Sequence, residues 1–142
     1  MNDTIRKFGY PGTLVQEYAH WVVLLRPQQV TLGSLVLASK EPATEFHQLS
    51  AAGFGEMRSA VIDIERSLKE LTGYQKINYL MLMMVDPDVH IHVIPRYQQP
   101  AVFAGLQFPD HGWPGPPALA QFTATDEETH AAIGARLRDR WR

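Results

Sequence analysis

Val85-Asp86-Pro87-Asp88-Val89-His90-Ile91-His92-Val93-Ile94-Pro95-Arg96-Tyr97 is the stretch on which the reading of this chain turns. From Val89 to Ile94, β-branched residues alternate with histidines, the pattern of a strand ended by Pro95. Asp86-Pro87 ahead of it is a tight-turn signal. Side chains alternate faces along a strand, so Asp88, His90 and His92 are expected on one face. Val89, Ile91 and Val93 then occupy the other, which packs on a core. Same-face neighbours lie about 6–7 Å apart at Cα, close enough for two imidazoles to converge on one small group.

Working outward, Lys76 to Met84 reads as a preceding strand near enough to form a hairpin with this one. Before it, Phe54, Met57, Val61, Ile64, Leu68 and Leu71 recur at helical spacing. Ser50 is the expected N-cap of that long helix and Gly73 its C′ residue. Trp21 to Leu25 is a buried strand ended by Arg26-Pro27, and Gly33 opens another, Ser34 to Ala38. The link from Pro27 to Leu32 suits antiparallel neighbours. Thr13 to Tyr18 reads as a short edge strand. The first dozen residues, with Gly9, Pro11 and Gly12, read as an irregular lead-in. Downstream, residues 109–117 hold four of the ten prolines and exclude a regular element. Thr125 and Glu128 form a capping-box pattern opening a last helix, which ends among Arg136, Arg138, Arg140 and Arg142. The order is strands, long helix, strands, short helix. It predicts an α+β domain with a mainly antiparallel sheet, spanning residues 1–142 as one unit.

Composition narrows the function. The chain has 142 residues, long enough to bury one real core. Its net charge of −2 lacks the basic footprint that nucleic-acid binding needs. With no cysteine, disulfides, thiolate nucleophiles and Cys-ligated metals are excluded, which suits a reducing compartment. The N-terminus has no apolar signal region. The longest apolar run, Tyr79 to Val85, is far short of the roughly 20 residues of a membrane helix. A cytoplasmic protein with no membrane partner is expected.

A neutral imidazole is a good nucleophile toward phosphorus at pH 7, provided one nitrogen is free and the other is held as N–H. A second imidazole can hydrogen-bond a phosphoryl oxygen or protonate a departing one. Arg96 supplies a fixed positive charge just beyond the strand. No P-loop pattern is present. A metal site is a competing reading, since Asp88, His90 and His92 are suitable ligand types. Asp88 and His92 lie about 13 Å apart along a strand, so a ligand such as His111, His47 or Asp110 would have to join them. Asp88 itself has two readings. Its carboxylate orients the His90 ring and raises its pKa, or it merely caps the turn.

His90-Ile91-His92-Val93-Ile94-Pro95-Arg96 resembles the signature strand of the histidine triad (HIT) superfamily of nucleotide hydrolases and transferases, His-φ-His-φ-His-φ-φ, often followed by Pro-Arg. Lys76-Ile77-Asn78 stands at the spacing seen in short-loop members, and Gly33-Ser34-Leu35-Val36-Leu37 resembles their Gly-His-φ-φ-φ strand. The likeness covers roughly residues 20–97, leaving 98–142 as a C-terminal loop and helix. It implies a five-stranded sheet with one long and one short helix, and a homodimer whose sheets join edge to edge. It places His90 on the nucleophile that forms a nucleotidyl-histidine intermediate, and His92 on the last histidine, which contacts the reacting phosphate. Asp88 falls where the family usually has its first histidine. Ser34 stands where many members place a fourth, and Arg26 near a position of polar nucleotide contact. Met83-Met84 lacks the polar Asn or Gln common near the phosphate.

The implied substrate is a nucleoside joined through its α-phosphate to a leaving group, as in dinucleoside polyphosphates or nucleoside phosphoramidates. Arg96, Ser34 and Arg26 are the expected substrate contacts. No protein-bound cofactor is required, and a Mg²⁺-bound substrate is compatible with the scheme. A nucleotide-binding module without turnover is the alternative, motivated by Asp88 and by Met83-Met84.

Overall fold

Five strands form one antiparallel sheet in the order β1-β2-β3-β5-β4, in a computed structural model that describes residues 1–141. They are β1 (Leu14–Glu17), β2 (Trp21–Leu25), β3 (Leu35–Ser39), β4 (Lys76–Leu80) and β5 (His90–Arg96). The expected α+β architecture with a five-stranded antiparallel sheet is what the chain adopts. Between β3 and β4 runs α2 (Ala51–Thr72), capped by the Ser50 side chain accepting from Gly53 N and closed by Gly73 at φ 64°. Of its apolar stripe, Ile64 and Leu68 are fully buried and Met57, Val61 and Leu71 partly so, whereas Phe54 is largely exposed beside Phe46. The last helix, α3 (Glu127–Arg140), packs on α2 and β1.

The two faces of the sheet are covered differently. Val23, Leu25, Leu35, Leu37, Ile91 and Val93 meet α2 and α3 through Ala60, Ile64, Leu68, Ile133 and Leu137. Gly33, at φ 86°, makes the entry into β3 possible, because a Cβ there would stand 2.7 Å from Leu68 Cδ2. On the opposite face Val22, Leu24, Val36 and Ala38 are covered by Ile5, Phe8, Tyr10 and Leu14.

That second cover corrects the expectation of an irregular lead-in. Asp3–Lys7 form a short helix, α1, whose N-cap Asn2 accepts from Ile5 N at 3.0 Å. Ile5 is its anchor, with no exposure at all. Other boundaries also move. The β4 strand ends at Leu80 rather than Met84, because Met83 takes φ 50° and turns the chain. Met81 and Met83 pack on the core, while Leu82, Met84 and Val85 face outward. The β5 strand runs through Pro95 to Arg96; the β3 ladder ends at Leu35–Val93, so that ladder asks nothing of the proline nitrogen. The α3 cap is Asp126, one residue later than expected, accepting from Thr129 N at 2.7 Å. A small hairpin, β6 (Ala101–Phe103) and β7 (Leu106–Phe108), was not foreseen. Its two turn residues, Ala104 and Gly105, both have positive φ. Residues 109–117 are irregular, as their prolines require. No helix among the described residues is long and apolar enough to cross a membrane.

Candidate active site

The register explains how the two imidazoles come together. Val22–Ala38–His90 and Leu24–Val36–His92 form adjacent rows across β2, β3 and β5, on the face covered by α1. Neighbouring rows on one face place the His90 and His92 ring centroids 5.2 Å apart, edge to face. Phe8 closes over both, at 5.7 Å from His90 and 5.8 Å from His92. Both histidines are therefore buried, at 2% and 7% exposure.

His90 Nδ1 lies 2.7 Å from the backbone carbonyl of Asp88. A carbonyl can only accept, so Nδ1 carries the hydrogen and the neutral ring presents an unprotonated Nε2. His92 is held neutral by its surroundings. Burial, reinforced by the positive charge of Arg26 and by His90, lowers its pKa to about 4, against an opposing pull from Asp86. Its Nδ1 is buried without a hydrogen-bond partner.

The Asp88 carboxylate takes its hydrogen bonds from α1 and not from the His90 ring. It accepts from Thr4 Oγ1 at 2.9 Å and from Thr4 N at 3.4 Å, fastening α1 to the sheet. Asp86 adds an ion pair with Lys7, at 2.8 Å. Orientation of the His90 ring falls to the Asp88 main chain.

Arg96 is bonded to two side chains of its own chain. Nε and Nη2 bind the two oxygens of Asp110 at 2.7 and 3.1 Å, and Nη1 binds Asn78 Oδ1 at 2.7 Å. Burial would raise the Asp110 carboxyl; its bonds from Arg96, Tyr97 N and Gly112 N overcome this and hold it below the usual range. Arg96 thus ties the 109–117 loop to β5. Ser34 is fully buried and serves the turn before β3, donating to Thr31 O at 2.8 Å and accepting from Thr31 N at 3.0 Å. Arg26 follows β2 and lines a cavity of about 380 Å³ with Lys7, Phe8, Pro27 and Gln28. The metal reading finds no support in the arrangement: among the described residues no three His, Asp or Glu side chains converge. His47 and His111 are exposed, and Asp110 is committed to Arg96.

Sequence reasoning missed Thr4, Lys7 and Phe8. The available signal was Asn2 three residues before Ile5, a helix cap ahead of an apolar residue. Nothing local marks Phe8 as a ring over the histidines.

A family model described as the HIT domain matches residues 9–99, well over half of the chain and starting just after α1 and Phe8. No curated protein matches the sequence. Among solved structures, a histidine triad protein from Bradyrhizobium japonicum is similar, with 20% identity over 100% of this chain and 97% of that one and a TM-score of 0.77. A histidine triad protein from Sinorhizobium meliloti shows 20% identity over 98% and 94%, with a TM-score of 0.76. One from Marinobacter aquaeolei shows 21% identity over 99% and 94%, with a TM-score of 0.71. At these identities the likeness bears on the fold alone.

Proposed function

The chain belongs to the HIT domain family, and on that premise we propose that it is a nucleotide-binding hydrolase or transferase acting at the α-phosphate of a nucleotide conjugate through His90. The observation that carries this reading is the 2.7 Å contact of His90 Nδ1 with the Asp88 carbonyl, which leaves Nε2 as a neutral nucleophile.

Nε2 of His90 attacks the α-phosphorus, forming a P–N bond. The bond to the leaving group breaks and its electron pair departs with that group. The ring gains positive charge as it becomes nucleotidylated, and its Nδ1–H bond to the carbonyl strengthens accordingly. Water then attacks the same phosphorus and the P–N bond breaks. Nucleoside monophosphate leaves and neutral His90 is regenerated. His92, neutral at pH 7, offers a ring N–H to a phosphoryl oxygen and does not act as a charged acid. A dinucleoside polyphosphate fits this chemistry by releasing a phosphate anion, and a nucleoside phosphoramidate by releasing an amine that takes a proton from solvent as the P–N bond breaks. The working assembly is a homodimer joined at a sheet edge, for which β1 and β4 are the free edges.

One observation favours a binding module without turnover. Phe8 covers both imidazoles, and the adjoining loop tip is apolar, with Met84 and Val85 more than four-fifths exposed. A labelled dinucleoside polyphosphate separates the two readings. Covalent label on the protein and release of nucleoside monophosphate, both absent in His90→Ala, are the expected results. Saturable binding with neither signal would sink the enzyme reading. Sedimentation of the same sample at the mass of one 16.0 kDa chain would sink the dimer.

A further inference from the structure

The irregular 109–117 segment closes a cavity that the proposed reaction does not use. Its walls are Lys76, Asn78 and Arg96 on one side and residues 113–116 on the other, enclosing about 540 Å³. Register places the first wall. Asn78–Ile94 and Lys76–Arg96 are the next rows beyond Leu80–His92 on the same face of the sheet. Arg96 stands about 13 Å from His92 along β5, so the cavity is separate from the imidazole pair. The second wall is pre-formed. Asp110 fixes it through Arg96, Tyr97 N and Gly112 N. Within the loop Trp113 N donates to Asp110 O at 3.3 Å, and Gly115 N to Gly112 O at 2.7 Å. Residue 112 must be glycine, because a Cβ there would collide with Pro116 O as the chain turns back.

The chemistry of these walls is one-sided. Arg96 is neutralised by Asp110, and Asn78 spends its Oδ1 on Arg96 Nη1, which leaves the amide Nδ2 as a donor. Lys76 is exposed and forms no ion pair with a described residue. Among the described residues no carboxylate lines the cavity. Its free polar groups donate and its net charge is positive, so a ligand that completes it brings acceptors and negative charge. The facing wall, Trp113 with Pro114 and Pro116, is a flat apolar surface suited to a ring. The volume lies within the roughly 300–1,000 Å³ of small-molecule sites. We propose that this cavity binds a planar aromatic ring bearing one anionic group, with the ring against Trp113 and the anion between Lys76 and Asn78. The proposal does not depend on the nucleotidyl-transfer reading. A nucleotide and a free aromatic acid share the required chemistry.

The test uses the full chain with three probes: naphthoate, its uncharged analogue naphthamide, and a nucleoside 5′-monophosphate. Binding is followed by NMR at the Trp113 indole N–H and the Asn78 side-chain amide, which report on this cavity. In wild type, naphthoate should shift both signals and bind at least about tenfold more tightly than naphthamide. Lys76→Gln should abolish that preference while still binding naphthamide, and Lys76→Arg should keep it. Because Lys76 is exposed, its variants remove the anion contact without opening the core. Trp113→Leu, read at Asn78, should weaken both naphthyl probes alike. Signals that naphthoate leaves unmoved in wild type, or an unchanged preference in Lys76→Gln, overturn the site. A nucleoside monophosphate that shifts the same signals and displaces naphthoate supports the site and makes its ligand a nucleotide. Displacement failing while naphthoate binds supports it with a free aromatic acid as ligand. Labelling of His90 is scored separately: its absence sinks the transfer reading and leaves this cavity standing.

Discussion

At pH 7 His92 is a neutral imidazole, because burial opposes its proton first and the charge of Arg26 adds to that. The depressed pKa has a consequence for stability. The unfolded chain binds a proton at this histidine below the ordinary value of 6.5, whereas the folded chain resists until about 4. Between those values the unfolded state carries more protons, so stability is present above pH 6.5 and is lost as pH falls toward 4. Each unit is worth about 1.4 kcal/mol, so the loss attributable to this residue is at most about 3.5 kcal/mol. Urea unfolding at pH 7 and pH 4.5 should show a smaller drop in His92→Gln than in wild type. Equal drops would mean that His92 titrates normally. His90 shows why the pair was only half legible in the sequence. Alternation along the strand placed both rings on one face. The group that fixes the His90 tautomer is a main-chain carbonyl, which no residue type announces.

Among the elements, α1 has the largest bearing on the site and was the least visible in the sequence. Strands β2, β3 and β5 are long apolar or alternating runs, and α2 has a cap, a stripe and a terminal glycine, so each signals itself locally. A helix of five residues has too few turns to show a period. It is held by tertiary contacts instead: Ile5 in the sheet face, and Thr4 on Asp88, 84 residues away. The same distance hid the purpose of Asp88, whose carboxylate looked like a partner for His90 and is a latch for Thr4. Removing the latch in Asp88→Ala should destabilise the chain by about 1–2 kcal/mol and raise KM by loosening the Phe8 wall. Thr4→Val should have nearly the same effect, and the double variant should cost little more than either alone. Because the backbone carbonyl remains, saturating substrate should still nucleotidylate His90 in Asp88→Ala. A folded Asp88→Ala chain that cannot be labelled would show that the carboxylate, not the carbonyl, prepares the ring.

Across the whole molecule, the 109–117 segment is joined to the sheet by one buried ion pair. Its prolines made it recognisable as irregular, but not as anchored, because Asp110 meets Arg96 only after the β6–β7 hairpin has returned the chain. The Arg96 and Asp110 side chains are 4% and 1% exposed, so neither can fall back on water if the other is lost. Asp110 also holds the main chain at Tyr97 N and Gly112 N, at 3.1 and 3.2 Å, so one carboxylate ties strand end and loop together. Breaking such a pair from one side strands a charge and costs about 3–5 kcal/mol, whereas replacing both partners with apolar groups is far milder. Asp110→Ala should therefore lower unfolding free energy by that amount. Asp110→Ala combined with Arg96→Met should recover much of it, although the loop loses its tether. Limited proteolysis adds an independent readout: cleavage within 109–117 should accelerate in both variants, while global stability falls sharply only in the first. If Asp110→Ala unfolds at the wild-type urea concentration, the pair contributes nothing to stability. In that case its role is confined to placing the loop beside β4 and β5.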